Sequence, residues 1–102
     1  MDILIRIKRL IIARRVVFTL KADEEMAIDG LTRELVYEAI LNAPMINKKV
    51  RSRDPDSGQT EYLYVIKGFT FDGLGIYTTG KIKQEGGKEV FYVFISSKRS
   101  TD

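Results

Sequence analysis

Four stretches in the second half of the chain carry side chains suited to work on a phosphate. Lys49 and Arg51 stand in "KKVRSR", and Lys67 closes "TEYLYVIK". Tyr77, Lys81 and Lys83 recur every second or fourth residue in "IYTTGKIK". Tyr92, Ser96, Lys98 and Arg99 belong to "FYVFISSKRS". Ammonium and guanidinium groups bind phosphate oxygens, lysine as a point charge and arginine as a planar fork. A tyrosine stacks on a base or transfers a proton. A plainer reading competes: lysines guard sheet edges against aggregation, and tyrosines straddle core and solvent. On composition alone the plainer reading is favoured.

The chain's inventory narrows the chemistry. Its 102 residues include no histidine and no cysteine. The usual zinc, copper and iron ligands are therefore missing, as are Ser-His and Cys-His nucleophile pairs. Any reaction must run on Lys, Arg, Tyr, Ser, Thr and carboxylates, and no metal or other cofactor is expected. A disulfide framework is excluded, which fits a reducing, cytoplasmic setting. Hydrophobic residues make up 44%, charged residues 30%, and the net charge is +3. These values suit a single mildly basic domain that tolerates phosphate partners without requiring them.

Three motifs resemble known sites and fail on detail. "GIYTTGK" has the two glycines and lysine of a phosphate loop. Ile82 follows where Ser or Thr would hold magnesium, and the intervening residues favour a strand over a cradle. "DPDSG" opens like a calcium loop but lacks its glycine spacing and closing glutamate, so it reads as a turn. Asp23, Glu24, Glu25 and Asp29 form an acidic cluster that helix-dipole compensation largely explains.

The elements that must position these residues follow from periodicity. Ile3, Leu4, Ile7, Leu10 and Ile11 mark one face of a basic amphipathic helix within residues 1–15. No apolar run there is long enough to span a bilayer. Its stripe packs on the core or docks on a membrane surface, a partner or a second copy of the chain. Val16–Thr19 is extended. Ala22 and Met26 share a face of a short helix ended by Gly30, and Thr32 caps a second helix that buries Leu35, Val36, Ala39 and Ile40. Asn42-Ala43-Pro44 stops it, leaving a helical hairpin across residues 16–44. Residues 45–99 read as strands joined by "DPDSG", "FTFDG" and "QEGG", an antiparallel meander. The expected fold is α+β, with N-terminal helices on one face of a roughly four-stranded antiparallel sheet.

"TLKADEEMAIDGLTRELVYEAILNAP" resembles domain-of-unknown-function family 4258, small bacterial domains, with a likeness extending over about residues 16 to 99. The family pattern has His-Ala, an Arg-Met pair, Arg-Gly-Ile-Ser or similar, and a helix ending near Asn-Pro. Lys21-Ala22, Glu25-Met26 and Asp29-Gly30-Leu31-Thr32 occupy those places here. The structural positions Ala22, Met26 and Gly30 agree; the histidine and both arginines are replaced. The family looks similar to the RelE and MqsR kind of toxin ribonuclease, which cut messenger RNA with Lys, Arg and Tyr on a sheet.

The resemblance implies a metal-independent RNA endonuclease or RNA-binding domain of a bacterial toxin–antitoxin system. Its expected partners are RNA and an antitoxin-like protein. In that chemistry the ribose 2′-hydroxyl attacks the neighbouring phosphorus. Lys81, or Lys98 with Arg99, stabilises the charge, and Tyr77 or Tyr92 donates a proton. Lys81 is the first candidate for the base. Lys49, Arg51, Lys67, Ser96 and Arg99 would bind the strand. The alternative is a non-catalytic interaction module, which the replacement of the histidine by Lys21 favours.

Overall fold

The computed structural model describes residues 2–101. Helix α1 (Ile3–Ile12) starts at Asp2, whose carboxylate accepts from the Leu4 N–H at 2.8 Å. Strand β1 (Val16–Phe18) follows, then helices α2 (Leu20–Asp29) and α3 (Arg33–Asn42). Strands β2 (Lys48–Arg53), β3 (Thr60–Phe69), β4 (Gly75–Glu85) and β5 (Lys88–Arg99) complete the chain. The strands form one sheet in the order β1-β5-β4-β3-β2.

The sheet is five-stranded and mixed, not four-stranded and antiparallel. The extra strand is β1, which runs parallel to β5 with Val16, Val17 and Phe18 beside Tyr92, Val93 and Phe94. Three residues are too few for alternation to identify them as a strand. The neighbouring backbone secures them: the Tyr92 N–H donates to the Arg15 carbonyl, and the Thr19 N–H to the Phe94 carbonyl, each at 3.0 Å. The other three pairings are antiparallel, as the short turns require.

The helix ends obey local chemistry. Thr19 and Thr32 cap α2 and α3 through their hydroxyls, each accepting an N–H three residues on at 3.2 Å. Gly30 ends α2 at φ +69°, a left-handed conformation that costs glycine little. The two helices then part instead of packing as a hairpin. α2 lies mainly on β5, and α3 lies mainly on β3.

The helices cover one face of the sheet. Leu4, Ile7, Leu10 and Ile11 of α1, Ala22 and Met26 of α2, and Val36, Ala39 and Ile40 of α3 meet Tyr64, Ile66, Ile76, Tyr92 and Phe94 there. Burial of each large apolar side chain contributes about 1.5–3 kcal/mol. Phe18 stacks on Phe94 at 4.5 Å between ring centroids, and Tyr92 meets Phe94 edge-on at 5.0 Å. The apolar stripe of α1 thus belongs to this chain's own core, and a second copy could use it only after unpacking it. Basic residues of α1 are engaged too: Arg6 pairs with Glu89 of β5, and Lys8 donates to the Ala43 carbonyl that ends α3. Among the described residues, no helix is long and apolar enough to cross a membrane.

α3 approaches β3 at Gly68, where an added Cβ would overlap the Ala39 carbonyl. Backbone cannot swing aside as a side-chain tip can. Gly68→Ala is expected to cost about 3 kcal/mol, seen as a lower urea midpoint; an unchanged midpoint would mean that α3 sits farther from the sheet. The Arg6–Glu89 pair has a pH signature. The Arg6 guanidinium holds the Glu89 carboxyl below the usual carboxylate range. Its stabilisation is therefore complete above that range and lost as pH falls through the lowered value. Thermal unfolding of Arg6→Gln should start below wild type at neutral pH, and the gap should close in acid.

Candidate nucleic-acid interface

The second face of the sheet carries the candidate residues, and the course of β5 decides which of them reach it. Along β4, Ile76, Thr78 and Gly80 are buried while Tyr77, Thr79 and Lys81 alternate with them on the open side. β5 does not alternate without interruption. Gly80 pairs with Phe94 and Thr79 with Ser96, which leaves Ile95 as an extra residue. Such a bulge reverses the facing of everything after it. Tyr92 and Phe94 face the helices before it, and Lys98 emerges beside Tyr77 after it.

The bulge is held by α2. The Thr19 hydroxyl donates to the Ile95 carbonyl at 3.1 Å. Glu25 Oε1 accepts from the Ser96 hydroxyl at 2.7 Å and from the Ser97 N–H at 3.2 Å. One turn on, Asp29 Oδ2 accepts from the Arg99 N–H at 2.8 Å. Backbone groups that a bulge takes out of the ladder are thereby satisfied. Glu25 and Asp29 of the acidic cluster act here as a latch for the end of β5.

Beyond the bulge lies an open cleft of about 430 Å³, lined by Asp29, Lys67, Tyr77, Lys98, Arg99 and the following residues 100 and 101. Lys67 and Tyr77 are paired across β3 and β4, and Tyr77 and Lys98 across β4 and β5. The Lys98 ammonium is 5.5 Å from the Tyr77 ring centroid and the Lys67 ammonium 6.0 Å, so cations flank the ring. Among the described residues, three cationic side chains and one carboxylate line the cleft, a lining suited to an anion.

The remaining candidates lie elsewhere. Lys81 is on the open side but about 13 Å along β4 from Tyr77, four residues at ~3.3 Å each. Its ammonium pairs with Glu61 at 3.1 Å. It borders a larger groove of about 790 Å³ near the Asp54–Gln59 turn, and Glu61 offsets its charge there. The smaller cleft is the better anion site despite its size. Lys49 stands over the Tyr62 ring at 4.1 Å, and Arg51 is exposed; both are on the edge strand β2.

Two residues expected at the site are withdrawn from it. Tyr92 is 0% exposed, and a Cβ at Gly80 would lie 2.5 Å from its ring, so that glycine makes room for it. Burial pushes its phenol far above the ordinary range. It can neither reach a substrate nor release its proton. Ser96 is 6% exposed and its hydroxyl is committed to Glu25. Strict alternation puts Tyr92 and Lys98 on one side, and the bulge between them breaks it; Ser96 follows the bulge as Lys98 does, and its bond to Glu25 takes it from the site. Asp29, the last residue of α2, was missed as a lining residue because it was read only as part of the acidic cluster, without reference to β5.

Comparison with protein-family models, curated proteins and solved structures finds no match.

Glu25 touches no part of the cleft, yet the facing of Lys98 depends on it. Glu25→Ala leaves the buried Ser97 N–H without its acceptor and should cost about 1–3 kcal/mol. Glu25→Gln retains an acceptor and should lose less. Urea unfolding of both variants checks the order; equal losses would show that removing the charge, not the hydrogen bond, matters.

Proposed function

We propose that this chain is an RNA-binding domain of the toxin-ribonuclease kind that takes its strand in the Lys67–Tyr77–Lys98–Arg99 cleft. One observation carries the reading: an accessible tyrosine ring stands between two ammonium groups, with a guanidinium at the same cleft. That arrangement offers a base a stacking surface and its flanking phosphates counter-charges. The residue pattern shared with family 4258 supports the same direction through its likeness to toxin ribonucleases. An edge strand bearing Lys48, Lys49, Arg51 and Arg53 adds positive charge that a longer strand can follow.

Cleavage is a second reading, favoured by Tyr77 sharing a cleft with Lys98 and Arg99. Those cations would stabilise charge on the phosphate while the phenol protonates the leaving 5′-oxygen. Lys81 is too distant to serve as base for the same phosphate. Asp29, the carboxylate at the cleft among the described residues, takes that role in this reading.

Binding and cleavage separate in one set of measurements. Fluorescence anisotropy with a labelled single-stranded RNA in EDTA should show affinity falling steeply with salt. Lys98→Ala and Arg99→Ala should each weaken binding, and each should flatten the logarithmic salt slope by about 0.7 for a lost phosphate contact. Lys81→Ala should leave both nearly unchanged. Affinity indifferent to Lys98 and Arg99 would overturn the placement. On a denaturing gel, fragments that disappear with Tyr77→Phe would establish cleavage; intact RNA would leave binding as the function.

A further inference from the structure

Phe69 is the last residue of β3 and is 63% exposed. It lies two residues beyond Lys67, so both point to the open side of the sheet. Its cross-strand partner is Gly75. A Cβ built on Gly75 would lie 3.4 Å from the Phe69 ring and 3.3 Å from the Ser100 side chain. The ring therefore lies across the glycine, beside Ser100, a residue of the basic cleft. Covering a strand glycine with an aromatic ring is a known structural use, but it accounts for only one side of the ring. The other side remains in water.

Register places this ring next to the one already described. Tyr77 is two residues along β4 from Gly75, hence on the same side and diagonal to Phe69. Diagonal neighbours in an antiparallel pair stand about 7–8 Å apart. Lys67, Tyr77 and Lys98 form one cross-strand row, and Phe69 stands diagonal to Tyr77, two residues along β3 from Lys67.

We propose that Phe69 is a second base-stacking platform, so that the cleft holds two successive unpaired nucleotides of a single strand, one on Tyr77 and one on Phe69. This rests on the RNA-binding reading and specifies its ligand. A duplex, whose bases are already stacked on one another, offers no free face to either ring.

The test uses the full chain, a labelled oligouridine, the same sequence annealed to oligoadenine, and heparin as a polyanion without bases. Phe69→Leu keeps an apolar cover on Gly75 but removes the π face. It should lose about tenfold in affinity for the single strand and nothing for heparin, while Phe69→Trp restores binding. The duplex should bind more weakly than the single strand in wild type. Single-strand binding by Phe69→Leu equal to wild type would overturn the second platform and leave the Tyr77 cleft standing. A wild-type protein that binds no RNA would remove the RNA-binding reading as well. A wild-type dimer that Phe69→Leu dissociates, with RNA affinity unchanged, would assign the ring to a protein contact and overturn the proposal.

Discussion

The extra residue at Ile95 governs what β5 shows to water. Up to that point the strand presents Tyr92 and Phe94 to the helices, as the apolar core requires. Without the bulge, the same alternation would turn Lys98 toward the helices. Burying an ammonium without a partner costs several kcal/mol. The bulge lets one strand supply core aromatics along most of its length and a cation to the open face near its end. It also sets Lys98 beside Tyr77, whose other strand neighbour is Lys67.

A bulge takes backbone groups out of the ladder, and the chain satisfies them from α2. Thr19 performs two tasks with one hydroxyl: it accepts from the Ala22 N–H to cap α2 and donates to the Ile95 carbonyl. Glu25 and Asp29, one helical turn apart, bind the backbone of residues 97 and 99. Both hold the final strand in place.

Charge is distributed unevenly as a result. Arg6, Arg14, Arg33 and Lys81 have carboxylate partners: Glu89, Glu34, Asp23 and Glu61. The exposed pairs Arg14–Glu34 and Arg33–Asp23 contribute little to stability, roughly 0–1 kcal/mol each, but all four lower the net charge of the surface around them. A modest net charge of +3 can coexist with a cleft lined by several cations.

Much of the architecture was legible from residue pattern alone. The stripe of α1, the Gly30 stop, the Thr32 cap, and the strands and turns of residues 45–99 all follow from side-chain periodicity and turn chemistry, which act over a few neighbours. The candidate residues were partly legible: Lys67, Tyr77, Lys98 and Arg99 do share a cleft, whereas Lys81, Tyr92 and Ser96 do not join them. Tertiary structure decided the rest. β1 is a strand because β5 lies beside it, not because three residues prefer extension. The bulge at Ile95 depends on acceptors and donors some 70 residues away in sequence, at Thr19 and Glu25. Side-chain type determined what each residue could do; the register of long-range pairing determined which of them face water together, because one added residue reverses every side chain that follows.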